Sequence, residues 1–307
     1  MDVSLNFGSP QRTVLAGDSN AFPVDSPTQR LDDLGAASPF SFVGSLRIQT
    51  SSQLYYASAS AISPNWVLTA AHNVDYDDDG QVDGGLSIQF NLPDYGTYTA
   101  TSSVVHPGFT GFNNPSLNDD LALLYFSTPL PEALLFPTFG SVGLGDEVTM
   151  VGFGRSGYGD LGYMTAATLD QRRVGENVLD VMLVDDEGSG QAELFEYDFD
   201  APDTVGLIGG SLGNDRESMI GVGDSGGPLL VMGENGYEIV GVNTYLLSAD
   251  GTFGNSAGGV LTTPYLDWIS SITGIAVIPE PNTAAIPLLV LLCLGLRRWK
   301  HLKSSSR

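Results

Sequence analysis

Gly223-Asp224-Ser225-Gly226-Gly227-Pro228 places a serine on a turn so rich in glycine that backbone N–H groups can converge on whatever its hydroxyl attacks. A serine hydroxyl at its ordinary pKa is a weak nucleophile and needs a neighbouring base. Thr69-Ala70-Ala71-His72 supplies an imidazole, which titrates near neutrality, and Asn118-Asp119-Asp120-Leu121-Ala122-Leu123-Leu124 supplies carboxylates that can orient it. The chemical set therefore runs base, carboxylate, nucleophile along the chain. Of the three histidines, His301 sits in a basic tail, while His72 and His106, the latter in Val104-Val105-His106-Pro107-Gly108-Phe109, lie in the body of the chain.

The rest of the chain sets the frame. At 307 residues it can bury a sizeable core. Helical periodicity is scarce, while short apolar runs recur between turn-forming residues: Phe42 to Ile48, Trp66 to Ala70, Leu86 to Phe90, Leu121 to Phe126, Val148 to Phe153, Leu229 to Met232 and Tyr237 to Val242. Such a pattern predicts an all-β sandwich or barrel, with one helix over Pro264 to Ile272. The net charge of −24 is unevenly spread, because no lysine precedes Lys300 and every acidic residue lies at or before Glu280. A body this acidic repels phosphate backbones and excludes nucleic acid as a partner. The single cysteine, Cys293, rules out an intramolecular disulfide.

The three chemical segments, with their flanks and order, resemble the trypsin/chymotrypsin family of serine proteases. The resemblance implies two six-stranded antiparallel β-barrels with a short C-terminal helix, over about 31–275. It implies a catalytic triad of His72, Asp120 and Ser225, needing no cofactor. Asp120 is chosen because the family places this aspartate directly before an aliphatic strand; Asp119 is then expected to be an exposed turn residue. The oxyanion hole would be the N–H groups of Gly223 and Ser225, and Asp224 would pair with an α-amino group freed by activation cleavage, for which Arg30-Leu31 is a candidate point. Met219, Thr244, Tyr245 and Gly259 fall where the family binds substrate. An apolar residue at 219, in place of an aspartate, implies cleavage after apolar or small residues. The cysteine pair that brackets the family's histidine loop would fall at Ala57 and Asn73.

Two features lie outside that resemblance. Asp75-Tyr76-Asp77-Asp78-Asp79-Gly80-Gln81-Val82-Asp83 carries carboxylates at positions 1, 3, 5 and 9 of a calcium loop, with a glycine at 6 and the Gln81 carbonyl as a further ligand. Leu86 stands where an EF-hand has its bidentate glutamate, so a weaker structural Ca²⁺ site is expected, from Asp75, Asp77, Asp79, Gln81 and Asp83. A second acidic group, Asp198, Asp200, Asp203, Asp215 and Glu217, matches no metal template and is expected to be surface charge.

The two ends predict a route. Residues 276–307 contain Ile278-Pro279-Glu280-Pro281, the apolar run Ala284 to Leu296 and Arg297-Arg298-Trp299-Lys300. This resembles the PEP-CTERM sorting signal of Gram-negative bacteria, which implies an exosortase as partner and a transient membrane stay before the tail is removed. A single-span anchor is the alternative. Either puts the acidic domain outside the cell or on its surface. The first residues, Met1 to Phe7, show no signal peptide, so the true start is expected upstream, and 1–30 is expected to be a propiece or linker. The expected activity is thus that of an exported serine endopeptidase acting on proteins or peptides. A non-catalytic calcium-stabilised adhesion protein and an esterase using the same triad are its rivals.

Overall fold

In this computed structural model the described residues are 15–276, apart from 22–25, 113–116, 185, 187, 203–207, 213–216 and 249. The tail motif, its apolar run and Cys293 lie outside them, as do Asp203 and Asp215. Among the described residues no helix is long and apolar enough to cross a membrane.

The first sheet holds seven strands in the order β5-β4-β1-β2-β3-β7-β6. They are β1 (Val43–Gln49), β2 (Leu54–Ser63), β3 (Trp66–Thr69), β4 (Ser87–Leu92), β5 (Gly96–Thr99), β6 (Ser102–Val105) and β7 (Ala122–Tyr125). Between β5 and β6, the Ala100 N–H bonds to the Ile88 carbonyl of the β4 side at 2.9 Å and the Thr101 N–H to the Tyr125 carbonyl of β7 at 2.7 Å. One extended run of chain therefore pairs with both ends of the sheet and closes it. The seven strands are six passes of chain, as the family resemblance implies.

The second sheet repeats this device. Its path is β12-β9-β15-β16-β17-β14-β13. After β8 (Thr138–Phe139) come β9 (Glu147–Gly152), the small hairpin β10 (Gly157–Tyr158) and β11 (Gly162–Tyr163), then β12 (Arg173–Val178), β13 (Val181–Val184), β14 (Ala192–Asp198), β15 (Pro228–Gly233), β16 (Gly236–Leu246) and β17 (Ser256–Leu261). The Leu179 N–H bonds to Asp146 at 3.0 Å and the Asp180 N–H to Glu196 at 3.0 Å, so β12 and β13 are one run that joins the two ends. Closure leaves no long unpaired edge, which is how barrels avoid edge-to-edge association.

Burial follows the pleat. Along β4, Ile88, Phe90 and Leu92 are buried and alternate with less covered positions. In β2, by contrast, every residue from Ala57 to Ile62 is buried. Small residues are needed there because one face fills the first barrel and the other meets the serine loop. α1 (Leu266–Thr273) follows the turn Thr263–Tyr265, buries Leu266 and Ile269, and ends at Gly274 with φ 71°. A left-handed residue at that position suits glycine.

Residues 15–30, expected as propiece or linker, pack into the second barrel where they are described. Leu15 and Ala16 are fully buried, and the Leu15 N–H bonds to the Met219 carbonyl at 3.0 Å. Arg30 is only 8% exposed, and Leu31 bridges Arg173, so the Arg30–Leu31 bond is held against the sheet and not presented on an open loop.

Candidate active site

β3 ends at Thr69 and the chain turns through Ala71–Asn73, which lifts His72 to the rim of the first barrel. β7, hydrogen-bonded beside β3, begins just after Asp120. The two loops therefore emerge side by side. Asp120 Oδ2 lies 2.7 Å from His72 Nδ1, and Asp120 Oδ1 accepts the His72 backbone N–H at 2.9 Å. The carboxylate is fully buried and the imidazole is 20% exposed. Two contacts from one carboxylate fix both the tautomer and the plane of the ring, leaving Nε2 as the outward nitrogen.

Asp119 is not the exposed turn residue that the sequence suggested. It is 4% exposed, has φ 62°, and its Oδ1 lies 2.8 Å from His106 Nδ1. The His106 ring packs edge-on against Tyr265 and Trp268, each with centroids 4.9 Å apart. The adjacent aspartates thus serve different histidines, one at the site and one anchoring the C-terminal helix.

Ser225 is carried by the loop between β14 and β15, and that loop is locked from both barrels. The Ser58 N–H of β2 bonds to the Ser225 carbonyl at 2.9 Å, and Asn73 Nδ2 bonds to the same carbonyl at 3.1 Å. The Ser58 hydroxyl donates to the Gly223 carbonyl at 3.0 Å and accepts the Phe153 N–H at 3.0 Å. From the second barrel, the Gly226 N–H bonds to the Asn243 carbonyl at 2.8 Å, while Asn243 Nδ2 bonds to the Gly227 and Pro228 carbonyls at 3.1 and 3.0 Å. Among the described residues the Ser225 hydroxyl has no hydrogen-bond partner, His72 included. Such contacts are often long in a free site and tighten only with substrate present.

Gly223 has φ +101°, and a Cβ there would sit 2.9 Å from Gly154 Cα. Neither the Gly223 N–H nor the Ser225 N–H has a partner among the described residues. Two unclaimed donors flanking a serine are what an oxyanion site requires. Asp224, one residue on, turns inward and is 1% exposed. Its oxygens accept the Gly154 N–H at 2.7 Å and the Gly221 N–H at 2.8 Å. Burial pushes its carboxyl up to about 6, against the opposing pull of those two N–H groups and of the Arg173 charge.

Met219, Thr244, Tyr245 and Gly259 are all buried in the second barrel. Met219 is fully covered and packs in the same core as Leu15. The Tyr245 hydroxyl donates to Glu196 Oε1 at 3.1 Å, and a Cβ at Gly259 would meet the Val242 carbonyl at 1.9 Å.

The acidic loop behaves differently from its template. Carboxylate oxygens of Asp75, Asp77 and Asp83 lie within 4.8 Å of one another, and Asp79 stands outside that group. Asp79 is turned back onto its own loop, where its Oδ1 accepts the Gln81 N–H at 3.0 Å. Asp75 accepts the Asp79 and Gly80 N–H groups at 3.1 and 2.8 Å. Desolvation, then the charges of Asp79, Asp83 and Asp75, raise the Asp77 carboxyl above its ordinary value.

The second acidic group is not surface charge. Asp198, Asp200 and Glu217 are 1%, 3% and 2% exposed. Glu217 accepts the Asp200 N–H at 2.7 Å and the Leu212 N–H at 2.9 Å, while Asp180 accepts the Asp198 N–H at 3.0 Å and the Gly210 N–H at 2.7 Å. The carboxylates staple the segment ahead of the serine loop. Burial raises both Glu217 and Asp180, and the N–H bonds oppose it.

Ser58, Asn73 and Asn243 were not marked by the sequence reading as parts of this site. The one available signal was Asn73, which stands where the resemblance places half of a disulfide.

With this geometry in place, comparison with known proteins gives the class. The sequence profile of the Trypsin family matches residues 35–269, and the chain belongs to that family, whose members are serine proteases. It is similar to brachyurin of Leptuca pugilator, at 29% identity over 232 residues, which covers 72% of this chain and 89% of the relative. Hydrolysis of peptide bonds in proteins or peptides is the chemistry of the class.

Proposed function

We propose that this chain is an exported serine endopeptidase in which Ser225 attacks the peptide carbonyl. His72 takes the hydroxyl proton and returns it to the leaving amine, and Asp120 holds the ring and stabilises its charged form. Water then releases the acyl-enzyme. The developing oxyanion is received by the N–H groups of Gly223 and Ser225, worth about 3 kcal/mol for one well-aimed donor. The observation that carries this reading is the doubly bonded His72–Asp120 pair, set beside a serine loop locked in place by Ser58, Asn73 and Asn243. Asp224 braces the oxyanion loop. Met219 has no exposed surface to offer a substrate; an apolar residue where the family resemblance places an aspartate still argues for apolar or small residues, and against Arg or Lys, on the acyl side of the cut. The tail beyond residue 277 would be trimmed by an exosortase after a transient membrane stay, leaving the domain outside the cell.

The test uses the whole chain and its Ser225→Ala variant. Labelling by a fluorophosphonate probe together with casein digestion, both lost in the variant, is the expected result. An unlabelled, inert wild-type protein would point to the adhesion reading, and turnover of simple esters without casein cleavage to an esterase.

Asp75, Asp77 and Asp83 would hold a structural Ca²⁺, with waters or backbone carbonyls completing its six to eight oxygens. The mutual repulsion that raises Asp77 is what a cation would relieve. The loop is coupled to the active site, because Asp78 Oδ1 accepts the Phe112 N–H at 2.5 Å and the Phe112 ring lies 4.8 Å from that of His72. Removing calcium with EGTA should lower the Tm by about 3 °C or more, calcium should restore it, and Asp77→Asn should abolish the response. A Tm unmoved by chelator and calcium alike would rule the ion out.

A further inference from the structure

A cavity of about 490 Å³ opens on the first barrel, lined by Arg47, Tyr56, Gln89, Asn91 and the segment 167–170. It adjoins the proposed oxyanion site. The point a Cβ would occupy on Gly223 is 3.1 Å from Ala167 Cβ and 3.6 Å from the Tyr56 carbonyl. It shares no lining residue with the proposed acyl-side wall of Met219, Thr244, Tyr245 and Gly259, all in the second barrel. A substrate laid across Ser225 with its acyl half over the second barrel must send its leaving half past Gly223 and β2, into this cavity.

The walls are built, not incidental. The Leu169 carbonyl accepts the Ser45 hydroxyl at 2.7 Å and Asn91 Nδ2 at 2.6 Å, both from the first sheet, and the Thr168 N–H bonds to the Phe153 carbonyl just past β9 at 3.0 Å, so the segment 167–170 is pinned from both barrels. Tyr56, Arg47 and Gln89 form one row across β2, β1 and β4. With strands about 4.8 Å apart and about 3.3 Å per residue of extended substrate, Arg47 is reached by the second or third residue after the cut.

Arg47 is the informative side chain. Its hydrogen bond is to a neutral amide, Gln89 Oε1, at 3.4 Å, and among the described residues no carboxylate pairs with it. The other described arginines are placed differently: Arg30, Arg172 and Arg173 are buried, and Arg155 lies over the Tyr163 ring at 5.0 Å. In a chain of net charge −24, a half-buried guanidinium in a substrate-sized cavity is a selective feature. Guanidinium matches carboxylate in geometry and charge. We infer that this cavity is the leaving-side subsite and that Arg47 selects substrates with Asp or Glu two or three residues after the scissile bond. Asp170, exposed on the same rim, opposes that preference and limits its size.

The inference rests on the peptidase reading, and the experiment separates the two. Peptides sharing one acyl half, with Asp, Ala or Lys at the second and third leaving-side positions, are compared by kcat/KM. The expected order is Asp over Ala by about fivefold, with Lys below Ala. Arg47→Gln should bring the Asp/Ala ratio to within about twofold of one, and Arg47→Glu should invert it. Active wild-type enzyme with a ratio near one, or a ratio that survives Arg47→Gln, overturns the subsite and leaves the peptidase standing. In parallel, a fluorescent Asp-containing peptide and its Ala counterpart are titrated onto Ser225→Ala protein by anisotropy, with and without Arg47→Gln. Arg47-dependent preference for the acidic peptide, combined with wild-type protein that cleaves nothing, keeps the subsite and discards the peptidase. Equal binding of both peptides discards the subsite whether or not the enzyme is active.

Discussion

Asp120→Asn is expected to lower kcat by about 10⁴ while the protein stays folded. The Asn oxygen can still accept the His72 backbone N–H, now 2.9 Å from Oδ1, so the loop keeps its anchor. Its amide nitrogen then faces His72 Nδ1 where Oδ2 stands at 2.7 Å. An N–H aimed at Nδ1 forces the ring proton onto Nε2, and the imidazole can no longer accept from serine. Steady-state hydrolysis with a circular-dichroism control checks this. Asp119→Asn is the contrast: asparagine tolerates the left-handed backbone, so the variant should keep kcat within about threefold and lose about 1–2 kcal/mol of stability with the His106 contact. If Asp119→Asn, and not Asp120→Asn, abolished turnover, the assignment of the two carboxylates would be reversed.

The second large effect is expected at Gly226. It has φ +85°, and a Cβ there would lie 2.0 Å from Thr69 Oγ1, 2.3 Å from the Ser58 carbonyl and 2.9 Å from Asn73 Nδ2. Two of these atoms belong to the β2–β3 frame that presents His72, so the serine loop has to retreat from the first barrel. A shift of about 1 Å between reacting groups costs about 10²-fold, and a strained left-handed alanine adds about 1–3 kcal/mol of destabilisation. Gly226→Ala should therefore show kcat/KM down by at least about 10²-fold and a lower urea midpoint. Wild-type kinetics in this variant would mean that the lock between Ser225 and the first barrel does not position the nucleophile.

How far the sequence could be read depended on the chemistry of each segment. Runs such as Phe42 to Ile48 and Val148 to Phe153 appear as β1 and β9 because large apolar side chains alternate or cluster where a core needs them. β2 was not singled out: its Ala-Ser-Ala-Ser-Ala run alternates only between two small side chains, and the contact with the distant serine loop accounts for why small residues are buried there. β12 and β14 were missed for the opposite reason. They carry Arg173, Glu193 and Asp198, all buried, which composition alone assigns to the surface. The His72–Asp120 pair was legible because flanking sequence fixes the register of β3 and β7. The partner of Asp119 was not, since His106 is thirteen residues away and α1 completes its cage. The acidic loop showed its carboxylates but not that Asp79 would turn back to cap its own loop.

Asn73 stands where the family resemblance would place half of a disulfide, and its side-chain amide reaches both Thr69 and the Ser225 carbonyl, at 3.0 and 3.1 Å. The join between the histidine loop and the serine loop is here a pair of neutral contacts. Oxidising power is thus irrelevant to completing the catalytic frame: neither a thiol oxidase nor an isomerase is required on its folding route. Glutathione or thioredoxin has nothing here to cut, and this hydrolase can be assembled on either side of a redox boundary.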